Sequence, residues 1–133
     1  MDNQEFDKWT SSYINYQSDP NWNREDHPLF WSYEKFRDLL DEQVDPEPYW
    51  QAILEVLRRN PGEQVLSMLS AGPLEDLIDN HGPEIIDRIE LEAKKNPKFR
   101  SLLSEVWESS TSEIWERIVR LREDPRWTHI TKR

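Results

Sequence analysis

The chain of 133 residues contains no cysteine and only three glycines. Without cysteine it can form neither a disulfide framework nor a thiolate metal site. With so few glycines it has no glycine-rich phosphate loop and no Gly-x-Ser-x-Gly nucleophile motif. No apolar run approaches the roughly 18 residues of a membrane-spanning helix, and the acidic start MDNQEFDKW is unlike a signal peptide. These absences predict a cytoplasmic protein that needs no cofactor, metal or membrane.

Negative charge is concentrated in the first two thirds of the chain. Residues 1–90 contain 20 acidic and 7 basic side chains, a net charge of -13, whereas residues 91–133 contain 7 acidic and 10 basic ones, a net charge of +3. The acidic part would repel the phosphate backbone of nucleic acids and the surface of acidic membranes. We therefore expect neither direct nucleic-acid binding nor membrane binding, and a basic protein surface is the partner that this charge favours.

Aromatic residues are unusually frequent, and nine of the 15 lie in residues 1–36. Large rings bury much apolar area per residue, so most of them are expected to fill a core. The rings assigned to the core in this way are Trp9, Tyr33 and Phe36. Trp22, Phe30 and Trp31 are harder to bury together, because Phe30 and Trp31 are adjacent and point about 100° apart on a helix. They are candidates for partner binding.

Apolar residues recur at helical spacing through most of the chain and predict an all-α fold of about seven short helices, without strands. Asp26 and Asp45 are the predicted N-caps of the second and third helices, and residues 110–113 fit a capping box for the last one. The helices predicted between them include 63–71, 74–80, 84–95 and 98–108.

Four dipeptides, Asn60-Pro61, Gly72-Pro73, Gly82-Pro83 and Asn96-Pro97, divide the middle of the chain. Glycine and asparagine readily adopt the left-handed conformation that closes a helix, and proline is tolerated in the first turn of the next helix. Each dipeptide therefore predicts a helix end followed by a helix start. Short helices joined in this way stack as antiparallel hairpins, either in a compact bundle or in a small HEAT-like solenoid. Proline spacings of 12, 10 and 14 residues show no fixed repeat, which favours the bundle.

Six short motifs lie in this region: AGPLEDLI at 71–78, HG at 81–82, IDRIELEA at 86–93, PKFR at 97–100, VW at 106–107 and EIWERI at 113–118. Over residues 45–127 the chain resembles a bacterial family known only as a domain of unknown function. The resemblance implies a helical fold and a bacterial, cytoplasmic origin, and it implies no mechanism. The chain departs from the family pattern at Glu105, where a small residue is common, and at Lys94, Lys95 and Lys98, where arginine is common. Those lysines argue against a surface role that requires arginine.

The expected organisation is one helical domain over residues 1–133. An aromatic-rich helix and loop occupy residues 1–26, the family-like helical core occupies 45–127, and 128–133 form a tail. Oligomeric state is left open.

Few side chains in the sequence follow the spacing of a catalytic or metal-binding motif. The three histidines are far apart and form no zinc motif. His81, between Asn80 and Gly82, is expected to bond free carbonyl groups at a helix end. Glu75, Asp76 and Asp79 crowd one short predicted helix, and Glu84 and Asp87 begin the next. These carboxylates either converge on a cation or a basic partner, or form a solvated acidic face.

Three functions are compatible with these features. The first is an acidic protein-binding module for a basic partner, such as an immunity-like or antitoxin-like inhibitor. The second is a mimic of nucleic acid that occupies a DNA-binding groove, and the third is a hydrolase using His81 with Asp79 or Glu84. No catalytic motif is present, so an enzyme is not the expected reading. The predicted partner-binding residues are Trp22, Phe30, Trp31, Glu75, Asp76, Asp79, His81, Glu84 and Asp87.

Overall fold

The computed structural model of the chain describes residues 1–21, 24–41, 44–108 and 110–123. In these residues all regular structure is helical, which confirms the predicted all-α class. Seven α-helices and one π-helical turn occur in this order: α1 (Asn3–Ser18), α2 (Phe30–Asp38), α3 (Glu47–Arg58), α4 (Glu63–Leu69), the π turn (Ser70–Leu74), α5 (Glu75–Lys95), α6 (Pro97–Leu103) and α7 (Ser112–Arg122). None of the helices described is both long and apolar enough to cross a lipid bilayer.

The helices pack as a bundle around α1 and α5. Helix α1 contacts α2, α3 and α4, and α5 contacts α6 and α7. In a solenoid each unit contacts only its neighbours along the chain, whereas α1 also reaches helices that follow much later. The bundle is therefore the correct one of the two predicted architectures.

Aromatic rings of α1, α2 and α3 form the centre of the core. The ring of Phe36 lies 4.6 Å from that of Trp9 and 4.9 Å from those of Tyr13 and Tyr49, measured between centroids. All four side chains are at most 2% exposed. The indole N–H of Trp9 donates to the carbonyl oxygen of Ser32 at 2.9 Å, so its one polar group is satisfied.

The Gly72-Pro73 step does not end a helix, contrary to the prediction. It lies in the π turn that joins α4 to α5, and the φ angle of Gly72 is not positive. Proline has no N–H for an α-helical hydrogen bond, and the wider π turn accommodates this. The hydroxyl of Tyr49 donates to the carbonyl oxygen of Pro73 at 2.8 Å, and that of Ser70 donates to Leu102 at 2.9 Å. Both bonds are buried and attach the turn to α3 and α6.

The Gly82-Pro83 step also lies inside a helix. Helix α5 runs through it with a kink at His81, whose φ of -130° and ψ of 25° are not helical. A Cβ atom at residue 82 would lie 2.5 Å from Oγ of Ser110 and 3.2 Å from Cγ2 of Ile114. The predicted interruption is therefore present as the kink at His81, and the glycine beside it serves the close approach of the segment entering α7.

The two asparagine steps separate helices as predicted. Asn60 has a φ of 51° and lies in the left-handed region between α3 and α4. Asn96 is extended instead, with a φ of -128°, and its side chain accepts the N–H groups of Lys98 and Phe99 as the N-cap of α6. Its left-handed conformation was wrongly predicted because the capping role requires extended backbone.

Helix starts differ from the sequence prediction in detail. Helix α2 begins at Phe30 without a side-chain cap, and Asp26 pairs with Arg24 at 3.1 Å instead. Asp45 accepts the N–H of Glu47 at 3.0 Å, but the N-cap of α3 is the next residue, Pro46.

The last two helices also have different bounds. Helix α6 ends at Leu103 rather than near residue 108. The N-cap of α7 is Thr111, which accepts the N–H of Ile114 at 3.3 Å, because Ser110 has a φ of 66° and belongs to the preceding turn. The predicted tail, 128–133, lies outside the described residues.

Candidate functional site

A cavity of about 470 Å³ lies where α1, α2 and the π turn meet. We call it the π-turn pocket. Residues Ala71, Gly72 and Pro73 of the π turn line it, and the side chains that matter for its chemistry are Tyr16, Glu25, Phe30, Tyr33, Arg37 and Asp76. Two predicted site residues from different parts of the sequence, Phe30 and Asp76, therefore meet in one cavity.

The helical spacing of α2 aligns three of these side chains. Phe30, Tyr33 and Arg37 are three and four residues apart and share one face of the helix. The ring centroids of Phe30 and Tyr33 are 5.6 Å apart, and Tyr16 of α1 meets Phe30 edge to face at 5.9 Å. The guanidinium carbon of Arg37 lies 5.6 Å from the centroid of Tyr33. Tyr33, predicted as core, is only partly buried.

Asp76 brings a carboxylate from α5 to the pocket. It is the second residue of α5, after Glu75, where the chain leaves the π turn. Burial raises the pKa of the Asp76 carboxyl, and the charge of Asp79 raises it further. The pKa of Glu75 is raised by burial and by Asp76 and Asp79. No described residue donates a hydrogen bond to the carboxylate of Glu75 or Asp76, or forms an ion pair with it.

Gln17 adds a buried polar group next to the rings. Its side chain is 2% exposed, and it lines the pocket beside Tyr16. The amide nitrogen lies 3.3 Å from the hydroxyl of Tyr13, and the amide oxygen has no hydrogen-bond partner among the described residues. Gln64 of α4 donates to the main-chain carbonyl of Gln17 at 2.7 Å and so fixes the end of α1 against α4.

The remaining predicted site residues are engaged elsewhere in the fold. Asp79 accepts the N–H of Ser110 at 2.9 Å, and Asp87 pairs with Arg117 at 2.7 Å. Arg117 also pairs with Glu90 at 2.6 Å.

His81 and Glu84 lie at the kink of α5. The ring of His81 is completely buried, and its Nδ1 lies 3.3 Å from the Glu84 carboxylate rather than against free carbonyl groups. The other ring nitrogen, Nε2, has no hydrogen-bond partner in the described part of the chain. A substrate in solvent therefore has no access to this ring in the structure.

The predicted tryptophans do not join the pocket. Trp31 lies in a separate groove beside Lys8, whose Nζ is 5.8 Å from its ring centroid. Trp22 lies outside the described residues. Among the residues that are described, no group of three or more His, Asp or Glu side chains could hold a metal ion.

Sequence reasoning missed Tyr16, Gln17, Glu25, Tyr33 and Arg37 as pocket residues. The helical spacing of Phe30, Tyr33 and Arg37 was a usable signal, since it places an arginine on the ring-bearing face. That Tyr16 and Gln17 line the pocket could not be predicted from the sequence, because it depends on how α1 packs against the π turn.

The fold and the pocket define a small all-α protein with a cavity lined by aromatic rings and by the carboxylates of Glu25 and Asp76, which pair with no cation in the described part of the chain. The chain belongs to a family of unknown function, DUF6869, whose model matches residues 19–125. The matched region begins earlier than the resemblance over 45–127 indicated, and it includes α2 and the loop before it. No curated protein and no solved structure matches the chain.

Proposed function

We propose that the protein is an acidic protein-binding module that engages a basic partner through the π-turn pocket and the carboxylates at the start of α5. More specifically, we propose that the protein is an immunity-like or antitoxin-like inhibitor that acts in the bacterial cytoplasm. The lack of cysteine fits a reducing compartment. The charge of -13 over residues 1–90 would accelerate encounter with a basic surface.

One observation carries the proposal: Glu75 and Asp76 have raised pKa values, and no cation of the described residues pairs with either carboxylate. Other acids of this chain are paired with arginine, such as Glu47 with Arg88 and Asp87 with Arg117. A raised carboxyl pKa beside a cavity marks a group whose charge is poorly compensated within the fold. A cation supplied by a partner would compensate it.

The test is affinity capture from a bacterial lysate with the tagged wild-type chain and two double variants. Glu75→Gln with Asp76→Asn removes the pocket carboxylate of Asp76 and that of its neighbour at the start of α5. Glu113→Gln with Glu116→Gln removes the same charge from the exposed face of α7. We expect the wild type and the α7 variant to recover the same stoichiometric basic protein at low salt, and the pocket variant to lose it.

High salt should weaken the capture, because steering and exposed charge pairs are screened. Equal recovery by both double variants would contradict the proposal, since it would place the interface away from the pocket. So would a captured protein without an excess of basic residues.

The two alternatives gain no specific support. A nucleic-acid mimic needs unpaired carboxylates spaced along its helices, whereas Glu47, Glu55 and Glu90 are each bonded to an arginine. A hydrolase using His81 needs an accessible ring, and the ring is completely buried.

A further inference from the structure

The π-turn pocket already contains one guanidinium group, that of Arg37. Its carbon lies 5.6 Å from the ring centroid of Tyr33, and one of its nitrogens lies 3.9 Å from the carboxylate of Glu34. The Arg37 side chain remains 56% exposed. An exposed cation on a ring and a long surface ion pair each contribute little binding energy, so this guanidinium is weakly held.

Arg37 does not neutralise the acidic side of the pocket. It lines the same cavity as Asp76, yet the two side chains form no ion pair within 4.0 Å. The pocket therefore has ring faces in contact with a cation, and a carboxylate without one. A second guanidinium, entering from outside, could satisfy both at once.

We propose that the π-turn pocket receives an arginine side chain of a protein partner, which displaces Arg37 from Tyr33 and pairs with Asp76. This inference rests on the proposed function and specifies its recognised group. Arginine suits the site better than lysine, because its planar, weakly hydrated guanidinium stacks on rings while donating two parallel hydrogen bonds to a carboxylate. A lysine ammonium is more strongly hydrated. It can pair with the carboxylate as a point charge, but it cannot stack on the ring or form two parallel hydrogen bonds.

Arg37 then acts as an internal competitor. In the free protein it covers the face of Tyr33, and a partner must move it before its own arginine can stack there. The contacts of Arg37 with the described residues are solvent-exposed, so its displacement costs little. Arg37 therefore excludes weakly binding cations more effectively than it excludes a well-placed arginine.

The test is calorimetric titration with three capped six-residue peptides, of arginine, of lysine and of citrulline, at about 0.15 M salt. Citrulline has the shape of arginine without its charge. We expect the arginine peptide to bind about tenfold more tightly than the lysine peptide, and the citrulline peptide not to bind measurably. Asp76→Asn and Tyr33→Leu should each weaken the arginine peptide about tenfold. Circular dichroism melting curves establish that both variants fold.

The role of Arg37 is tested by Arg37→Gln against Arg120→Gln. Arg120 is an exposed arginine of α7 paired with Glu116 at 3.6 Å, and both changes remove one positive charge. We expect Arg37→Gln to tighten the arginine peptide about threefold more than Arg120→Gln does. Equal tightening would attribute the effect to net charge, and weakening by Arg37→Gln would make Arg37 a contact of the peptide; either result overturns the competitor role.

Failure of this inference differs from failure of the proposed function. Equal binding of the arginine and lysine peptides, weakened in both cases by Asp76→Asn, would overturn the selectivity for arginine. It would remain consistent with the proposed binding of a basic partner. No binding of any peptide would overturn the arginine pocket. The capture experiment with the Glu75 and Asp76 double variant then decides the proposed function independently.

Discussion

The carboxyl group of Asp76 ionises above its ordinary pKa of 3.8, because it is partly buried and Asp79 is near. In the unfolded chain the same group loses its proton at the ordinary value. As pH rises, the unfolded state therefore ionises first, and the folded state loses relative stability until Asp76 itself has ionised. At neutral pH the charge of Asp76 therefore lowers the stability of the fold.

Replacing Asp76 with asparagine should therefore stabilise the free protein. We expect Asp76→Asn to raise the thermal midpoint by roughly 1 to 4 °C at neutral pH, measured by differential scanning calorimetry. The difference should vanish at a pH low enough to protonate the wild-type carboxyl. Asp38→Asn, at an exposed position of α2, is the matched control and should change the midpoint little. A lower midpoint for Asp76→Asn would show that its carboxylate stabilises the fold.

Individual residues were predictable where their cause is local. The positive φ of Asn60 follows from its own side chain and the proline after it. The need for glycine at residue 82 comes from Ser110 and Ile114, far along the chain, and no local pattern contains it. Asp76 was among the predicted site residues because of helical spacing, whereas the role of Arg37 required the packed arrangement of α2 and the π turn.

The π turn is the element that shapes the pocket, and two buried hydrogen bonds attach it to α3 and α6. The hydroxyl of Tyr49 donates to the carbonyl oxygen of Pro73 at 2.8 Å. Removing this donor leaves a buried carbonyl without its partner, which typically costs about 1 to 3 kcal/mol. Since π turns are frequent at functional sites, damage to this one should affect binding as well as stability.

Tyr49→Phe should therefore lower the free energy of unfolding by about 1 to 2 kcal/mol in urea denaturation. Amide hydrogen exchange at Ala71 and Leu74 should accelerate, and the arginine peptide should bind more weakly. The control is Tyr33→Phe, which keeps a pocket ring and removes a hydroxyl that bonds no described residue. Unchanged exchange at the π turn in Tyr49→Phe would mean that the turn is held by other contacts.

The helical class and the helix boundaries at Asn60 and Asn96 were predictable from the sequence, and the geometry of the two Gly-Pro steps was not. A glycine followed by proline predicts a helix end, yet Gly72-Pro73 lies in the π turn between α4 and α5, and Gly82-Pro83 follows a kink inside α5. Tertiary contacts override the local preference of these dipeptides. Tyr49 and Ser70 fix the π turn by hydrogen bonds, and the segment entering α7 packs onto Gly82. The candidate site was therefore predictable as two separate residue groups, and their meeting in one cavity was not.

Across the whole molecule two sets of carboxyl groups respond oppositely to acid. Hydrogen bonds from Arg88 and Gln51 lower the pKa of Glu47 from 4.5 to about 2, and bonds from Arg58 and Arg59 do the same for Glu55. A lowered folded pKa contributes stability that is present above about 4.5 and is lost as pH falls toward about 2. Glu75 and Asp76, with raised pKa values, contribute a penalty that disappears as they protonate.

The thermal midpoint should therefore rise slightly between neutral and weakly acidic pH and then fall steeply below about 4.5. Scanning calorimetry across this range checks the profile. Glu55→Gln should flatten the acid side, and Asp76→Asn should remove part of the initial rise. A midpoint that falls steadily from neutral pH, with the same profile in both variants, would contradict the assignment of these groups.

The boundary of the family match has a consequence for how the chain can be divided. The matched region begins at residue 19, after α1 has ended, yet α1 contributes Trp9 and Tyr13 to the centre of the core and Tyr16 to the pocket. The unit defined by sequence similarity and the unit that folds are thus different lengths of chain. An excised segment 19–125 would lose the two α1 rings that cover Phe36 and would lack the α1 wall of the π-turn pocket. Such a fragment would associate with itself rather than behave as a smaller version of the protein.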